Sequence, residues 1–383
     1  MTSQQGGEFY RQLGVRRVIN AASWVTGLGG SIMPPAVVDA MVNASRWFVD
    51  LNELNRKAGE VIARFTGAEA GLVTAGSAAG MLLEAAACMT GTDPAKVARL
   101  PDTTGMKNEI VCHRALRVGY DHSFRASGAK LVEIGNSSRT HEWELEDAIN
   151  ENTAAVAHIF GPNQRTALPL TTVVDIAHSK GVPVIVDAAA MLPPAENLTR
   201  YVEMGADMVS FSGGKGVLGP QSTGILCGRK DLIEAAYLNT SPNSLSIGRP
   251  AKVCKEEIAG LITALELFVD TDHQAVMASW RAKCEHVVSS LRDIPGLRVE
   301  LVEAQPELDQ FPDAQPSAVI TFDKSWQGPN KEEVLRQLEE GDPSIRVRPS
   351  DLTTGIDINP VNLQQGEEEI VARRLKEVLT GTG

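Results

Sequence analysis

The stretch "SFSGGKGVLGPQSTG", Ser210–Gly224, sets one lysine, Lys215, between Gly213-Gly214 and Gly216. Glycine adopts backbone conformations closed to other residues and lets another group come close. A lysine held there is either a solvated turn residue or an amine presented to a ligand. The loop follows the apolar run "MVSF" and precedes "TGILCG", so it reads as the turn after a buried strand. Upstream the same unit recurs. "EIVCHR", "KLVEIG", "AAVAHIFG" and "VPVIVDAAA" are short apolar runs, separated by the helical stretches "HSFRASGA", "EWELEDAINE", "TTVVDIAHSKG" and "LTRYVEMG". Continuous apolar strands alternating with helices predict an α/β fold, a large and mainly parallel sheet covered on both faces.

Outward from this region the character changes. "KEEIAGLITALELFV" repeats Ile258, Leu261, Ile262, Leu265 and Phe268 at helical spacing and predicts a long connecting helix. "GLRVELVE", "SAVITFD", "SIRVRP" and "GIDINP", with helices near 330–340 and 366–379, predict a small C-terminal α+β domain. "EAQPELDQFPDAQPS" is Pro-rich and reads as an exposed loop. The expected division is an N-terminal segment over 1–60, a large α/β domain over 61–255, and the connecting helix with the small domain over 256–383. A chain of 383 residues has ample length for such a core.

Bulk composition narrows the function classes. The formal net charge is −12, and no run of four or more Lys/Arg is present. Neither nucleic acid nor an anionic membrane is an expected partner. The five cysteines, Cys88, Cys112, Cys227, Cys254 and Cys284, show no zinc spacing and no disulfide framework. Reduced thiols, a polar N-terminus and the lack of a long apolar run point to a cytoplasmic protein. The histidines form no metal-binding spacing.

Three predicted strand ends carry chemistry, and α/β sheets bind ligands outside such ends. "TAGSAAG", Thr74–Gly80, is a glycine-serine turn opening a helix, where free N–H groups and the helix dipole favour a phosphate. It lacks the Lys-Ser/Thr of a nucleotide-binding P-loop, and alone it is equally a tight turn. Asp187 ends "VPVIVDAAA"; a buried carboxylate there needs a partner, either the cap of the next helix or a protonated ring nitrogen. Lys215 is the third, with Ser210 and Ser212 just before it. Cradle, carboxylate and lysine together fit pyridoxal 5'-phosphate, which needs an anion site, an acidic partner for its ring nitrogen, and an amine for its aldehyde.

The stretches "GADMVSFSGGKGVLGPQSTGILCGRKDLIEAA" and "IGRPAKVCKEEIAGLITALE" resemble the enzymes related to bacterial selenocysteine synthase, and more closely the shorter D-glucosaminate-6-phosphate ammonia-lyases. "GVRRVINAASWVTGLGGSIMP", "LPDTTGMKNEIVCHR" and "GVPVIVDAAAMLPPAENL" extend the likeness over nearly the whole chain. The resemblance implies the pyridoxal-phosphate-dependent transferase type I fold and a homodimer with active sites at the interface. It implies a Schiff base on Lys215 and a pyridinium partner in Asp187. Gly76, Ser77 and Ala78 become the phosphate cradle, aided by Ser210 or Ser212. His113 becomes a ring stacked on the cofactor, and Asn163 a contact to its phenolic oxygen. Arg249, in "SPNSLSIGRP", and Arg348 are candidate anion binders. Trp24 stands where the relatives carry smaller residues in a segment that lines the substrate pocket.

The resulting expectation is an enzyme that eliminates across Cα–Cβ of an amino acid or amino sugar acid, releasing ammonia and a keto acid. A racemase, aldolase or aminotransferase would use the same residues. Selenocysteine synthesis on a charged tRNA is disfavoured by the acidic charge and by the short N-terminus. A non-catalytic binding protein would not require both Lys215 and Asp187.

Overall fold

The computed structural model describes residues 3–161, 164–303, 315–350 and 355–381. The chain divides into two compact units. The larger is built on Ser31–Thr271; the smaller joins the N-terminal stretch up to Gly30 to the chain from Asp272 onward.

The twelve strands run in chain order as β1 (Val18–Ala21), β2 (Ala70–Thr74), β3 (Glu109–His113), β4 (Lys130–Ile134), β5 (Thr153–Ile159), β6 (Val184–Asp187), β7 (Met208–Ser212), β8 (Gly224–Gly228), β9 (Leu297–Val302), β10 (Ser317–Phe322), β11 (Ser344–Pro349) and β12 (Ile356–Ile358). In the large unit seven strands form one sheet in the order β2-β8-β7-β6-β5-β3-β4. β3 to β7 pair in parallel, while β8 lies antiparallel to both its neighbours. The strands are apolar throughout because both faces are covered. Val184, Val186, Val209 and Phe211 enter one core; Ile185, Met208, Leu226 and Ala157 enter the other. Each such fully buried aliphatic side chain is worth roughly 1.5–3 kcal/mol. The fold is α/β, as the strand and helix pattern predicts.

The unit boundaries differ from the expected 60/61 and 255/256. The helix Lys255–Asp270 belongs to the large unit, because Ile258, Leu261, Leu265 and Phe268 fill the first of its two cores. The N-terminal stretch to Gly30 belongs to the small unit, because β1 pairs in parallel with β11, Val18 opposite Ser344. The small sheet runs β1-β11-β12-β10-β9 and packs on the helices His273–Leu291 and Glu367–Thr380 through Val287, Leu291, Val371 and Leu375. The Pro-rich segment 303–317 lies largely outside the described residues. No helix among the described residues is long and apolar enough to cross a membrane.

Candidate active site

The glycines around Lys215 are there for space. None of Gly213, Gly214 and Gly216 has positive φ. A Cβ on Gly213 would sit 2.3 Å from Thr223 Oγ1, on Gly214 2.3 Å from Gln221 Cα, and on Gly216 2.2 Å from the Leu192 carbonyl oxygen. Backbone folds tightly around the lysine, with Gly213 N–H donating to Thr223 O and Gly219 N–H to Gly213 O. The strained position falls on Leu218, at φ 59°, whose N–H donates to Lys215 O. Lys215 is held by a loop that no larger residue would allow.

Strand register then sets the carboxylate beside the strand that leads into the lysine loop. Asp187 ends β6 directly opposite Ser210 of β7. Alternation along the strands turns both toward the face that also buries Ile185 and Met208. The Asp187 carboxylate accepts from Ala189 N–H at 3.0 Å, and Ala188 N–H donates to Ser210 O. Burial pushes the Asp187 carboxyl up; the Ala189 N–H and the Lys215 charge oppose this. Burial pushes the Lys215 amine below the ordinary lysine range, and Asp187 opposes that. Each charge favours the charged form of the other and works against the effect of burial.

The helix Gly76–Thr90 opens against the same face. Its N-cap is Ala75, which supplies no capping side chain, so its first N–H groups gain no partner there. Gly76 has φ 78° and open space where a side chain would project. Ser210 Oγ donates to Ser77 O at 3.3 Å, tying the helix start to β7. Gly80 is needed one turn later: its Cβ would meet Ser210 Oγ at 2.3 Å. Gly76, Ser77, Ala78, Ser210, Asp187 and Lys215 therefore belong to one locality. Ser212 joins it through its N–H, which donates to Ala189 O at 3.3 Å. A half-buried amine close enough for its charge to act on a buried carboxylate, beside an uncapped helix start, is a donor set that fits pyridoxal phosphate.

The other predicted residues are placed differently. His113 is fully buried, and alternation at the end of β3 turns it to the opposite face from Asp187, beside Leu168. Its Nε2 accepts from Leu168 N–H at 3.2 Å, and its ring meets His158 edge-on at 5.8 Å. No face of the ring is open for stacking. Asn163 lies outside the described residues. Arg249 is half-buried, with its N–H donating to Ser246 O. In the small unit Arg348 binds Asp357, Nε at 3.0 Å and Nη2 closer, so its fork is already engaged. Trp24 is half-buried and meets Trp280 edge-on at 6.3 Å, its Nε1 without a partner. Ser23 beside it has φ 88° and is pinned by Asn20 and Asn362, both donating to Ser23 O. Two surface grooves, one lined by His286, Ser290 and Arg373 and one by Asp102, Lys107 and Lys130, include none of these residues.

The histidine pair makes a pH prediction. Burial lowers His113 to about 4 and His158 to about 3, from 6.5. Between those values the unfolded chain binds more protons than the folded one, so stability rises with pH. The contribution is fully present above pH 6.5 and is lost as pH falls. At one pKa unit per about 1.4 kcal/mol, His158 alone costs about 2–3 kcal/mol between pH 7 and 4.5. Urea unfolding of wild type and His158→Gln at both pH values checks this: the variant should lose that much less. Equal losses would show that the pair does not control the acid limb.

The comparisons agree with this architecture. The model of the L-seryl-tRNA selenium transferase family matches residues 18–280, more than half of the chain. The chain belongs to this family, and with it to the pyridoxal-phosphate enzymes of fold type I. A D-glucosaminate-6-phosphate ammonia lyase from Salmonella typhimurium is 35% identical over 96% of this chain and 97% of its own length. A 5'-C-glycyluridine monooxygenase-decarboxylase from a Streptomyces species is 33% identical over 98% of this chain and 92% of its own. Among solved structures, a D-glucosaminate-6-phosphate ammonia-lyase superposes with TM-score 0.84 at 33% identity, covering 97% of this chain and 98% of that one. A serine palmitoyltransferase from S. paucimobilis, solved with bound PLP, reaches TM-score 0.60 at 13% identity over 96% of this chain and 88% of that one, a likeness of fold.

Glu84 was missed by sequence reasoning. It is the one acidic residue in the apolar helix "GSAAGMLLEAAACMT", and that isolation was the available signal.

Proposed function

We propose that this protein is a pyridoxal-phosphate lyase that removes the amino group of a small amino acid or amino sugar acid by α,β-elimination. The observation that carries the reading is the meeting of Asp187, Ser210 and the uncapped start of Gly76–Thr90 on one sheet face, with Lys215 near enough for its charge and that of Asp187 to act on each other. Near full-length similarity to an ammonia lyase supports the reaction class. Lys215 Nζ would hold the cofactor's aldehyde carbon, the N–H groups at Gly76–Ala78 would bind its phosphate, and Asp187 would keep its ring nitrogen protonated. When bound, the cofactor supplies a sink for the electron pair left at Cα. The substrate's amino group would take the place of Lys215 at the aldehyde carbon, and the freed lysine amine, its pKa lowered by burial, would take the Cα proton. The β-hydroxyl leaves as water, and the released enamine takes water back to give a keto acid and ammonia. The working form in this reading is a cytoplasmic homodimer with no nucleic-acid partner.

A second reading rests on the similarity to a monooxygenase-decarboxylase, in which O₂ is consumed and CO₂ released. Incubation with D- and L-amino acids and amino sugar acids, D-glucosaminate 6-phosphate included, separates the two. Elimination yields ammonia and a keto acid in equal amounts without O₂ uptake. Oxygen uptake with CO₂ release would favour the second reading. Tight tRNA-selective binding in a gel shift at near-physiological salt would contradict both.

A further inference from the structure

Glu84 lies eight residues into the helix that opens the phosphate cradle, and no part of it reaches solvent. Neither carboxyl oxygen has a hydrogen-bond partner. Its neighbours along the helix, Met81, Leu83, Ala85, Ala86 and Ala87, are all buried apolar core. An ionised carboxylate without a partner there would cost far more than the fold has to spare. The side chain therefore carries its proton.

Its direction follows from helix geometry. Side chains lean toward the helix N-terminus, so a residue covers the turn before its own Cα. The residue one turn before Glu84 is Gly80, which has no side chain and faces Ser210 so closely that a Cβ would meet Ser210 Oγ at 2.3 Å. Glu84 therefore lies on the helix face that Gly80 brings close to Ser210, with its side chain leaning back toward that turn. On the sheet opposite that helix face stand Ser210 and, in register beside it, Asp187. The electrostatics agree: burial raises the proton affinity of Glu84 first, and the Asp187 charge raises it further. The other titratable groups that sense this place are the thiols of Cys88 and Cys227, both held neutral by burial. The Lys215 charge acts on Asp187.

We propose that Glu84 is a positioning residue for Asp187: a buried, uncharged carboxyl, on the helix face that Gly80 brings close to Ser210, that gives the Asp187 charge a polar neighbour in an otherwise apolar wall. This rests on the reading of Asp187 as the partner of the cofactor's ring nitrogen. A neutral carboxyl limits the pocket to one negative charge while its dipole stabilises that charge. An amide can replace the dipole; an aliphatic side chain cannot.

The test uses wild type, Glu84→Gln, Glu84→Leu, Glu84→Met and Asp187→Asn. Infrared spectra of the cofactor-free proteins at neutral pH should show a protonated-carboxyl C=O band in wild type that is absent from all three Glu84 variants. Nuclear magnetic resonance of protein loaded with ¹⁵N-ring-labelled pyridoxal phosphate should show the ring nitrogen losing its proton at lower pH in Glu84→Leu and Glu84→Met. The expected fall is about one pH unit, with little change in Glu84→Gln. Absence of the Glu84 band would overturn the proposal. So would unmoved ring-nitrogen titration in the Leu and Met variants while Asp187→Asn shifts it. If Asp187→Asn shifts nothing, the reading of Asp187 fails and takes the proposal with it. Urea unfolding of each variant checks the fold, and the Leu and Met variants, which differ in shape, keep the test readable if one of them does not fold.

Discussion

Replacing Lys215 by alanine is expected to reduce turnover by more than about 10⁴-fold, the upper end of what general acid–base catalysis alone contributes. The lysine is asked to do two things, to hold the cofactor and to move the Cα proton, and alanine does neither. The loop should survive the change. Its form is set by close packing at Gly213, Gly214 and Gly216 and by the Gly219–Gly213 hydrogen bond, none of which involves the amine. Unchanged far-ultraviolet circular dichroism with lost ammonia release is the expected pair of results. Lys215→Ala with more than a few per cent of wild-type turnover would remove the lysine from the chemistry.

Asp187→Asn should cost roughly 10²–10⁴-fold in kcat while much of the cofactor stays bound through Lys215 and the helix start. Burial pushes the carboxyl up in pKa, and a protonated ring nitrogen beside it would favour its charged form. Asparagine keeps the shape and loses the charge. It also leaves Lys215 without its opposing carboxylate, so the amine should titrate lower still. Steady-state kinetics with cofactor occupancy measured in parallel checks this. A variant that turns over near the wild-type rate would make Asp187 a structural residue that accepts from Ala189 N–H.

Much of the large unit was legible because its strands are short apolar runs that end in chemistry. "VPVIVDAAA" and "MVSFSGGKG" showed both the buried strand and the residue at its end. What was not legible depends on distant pairing. Nothing in "VINA" announces that β1 will lie beside β11, and nothing in "SIRVRP" announces that Arg348 will meet Asp357 across a neighbouring strand. The helix Lys255–Asp270 showed its apolar face in its spacing, yet spacing does not say which core receives it. His113 read as a ring at a strand end; strand parity, which turns it from Asp187 toward Leu168 and His158, depends on the register of the whole sheet. Glycines posed a similar difficulty. Those beside Lys215 could have served conformation or space, and only the neighbouring Gln221, Thr223 and Leu192 decide for space.

The central claim is that Lys215 carries the cofactor. Reduction of the purified, cofactor-loaded protein with borohydride, followed by proteolysis and mass spectrometry, tests it directly. The account predicts one phosphopyridoxyl group per chain, on the peptide that contains Lys215, and none in Lys215→Ala. A modification on any other lysine, or its persistence in Lys215→Ala, would contradict it.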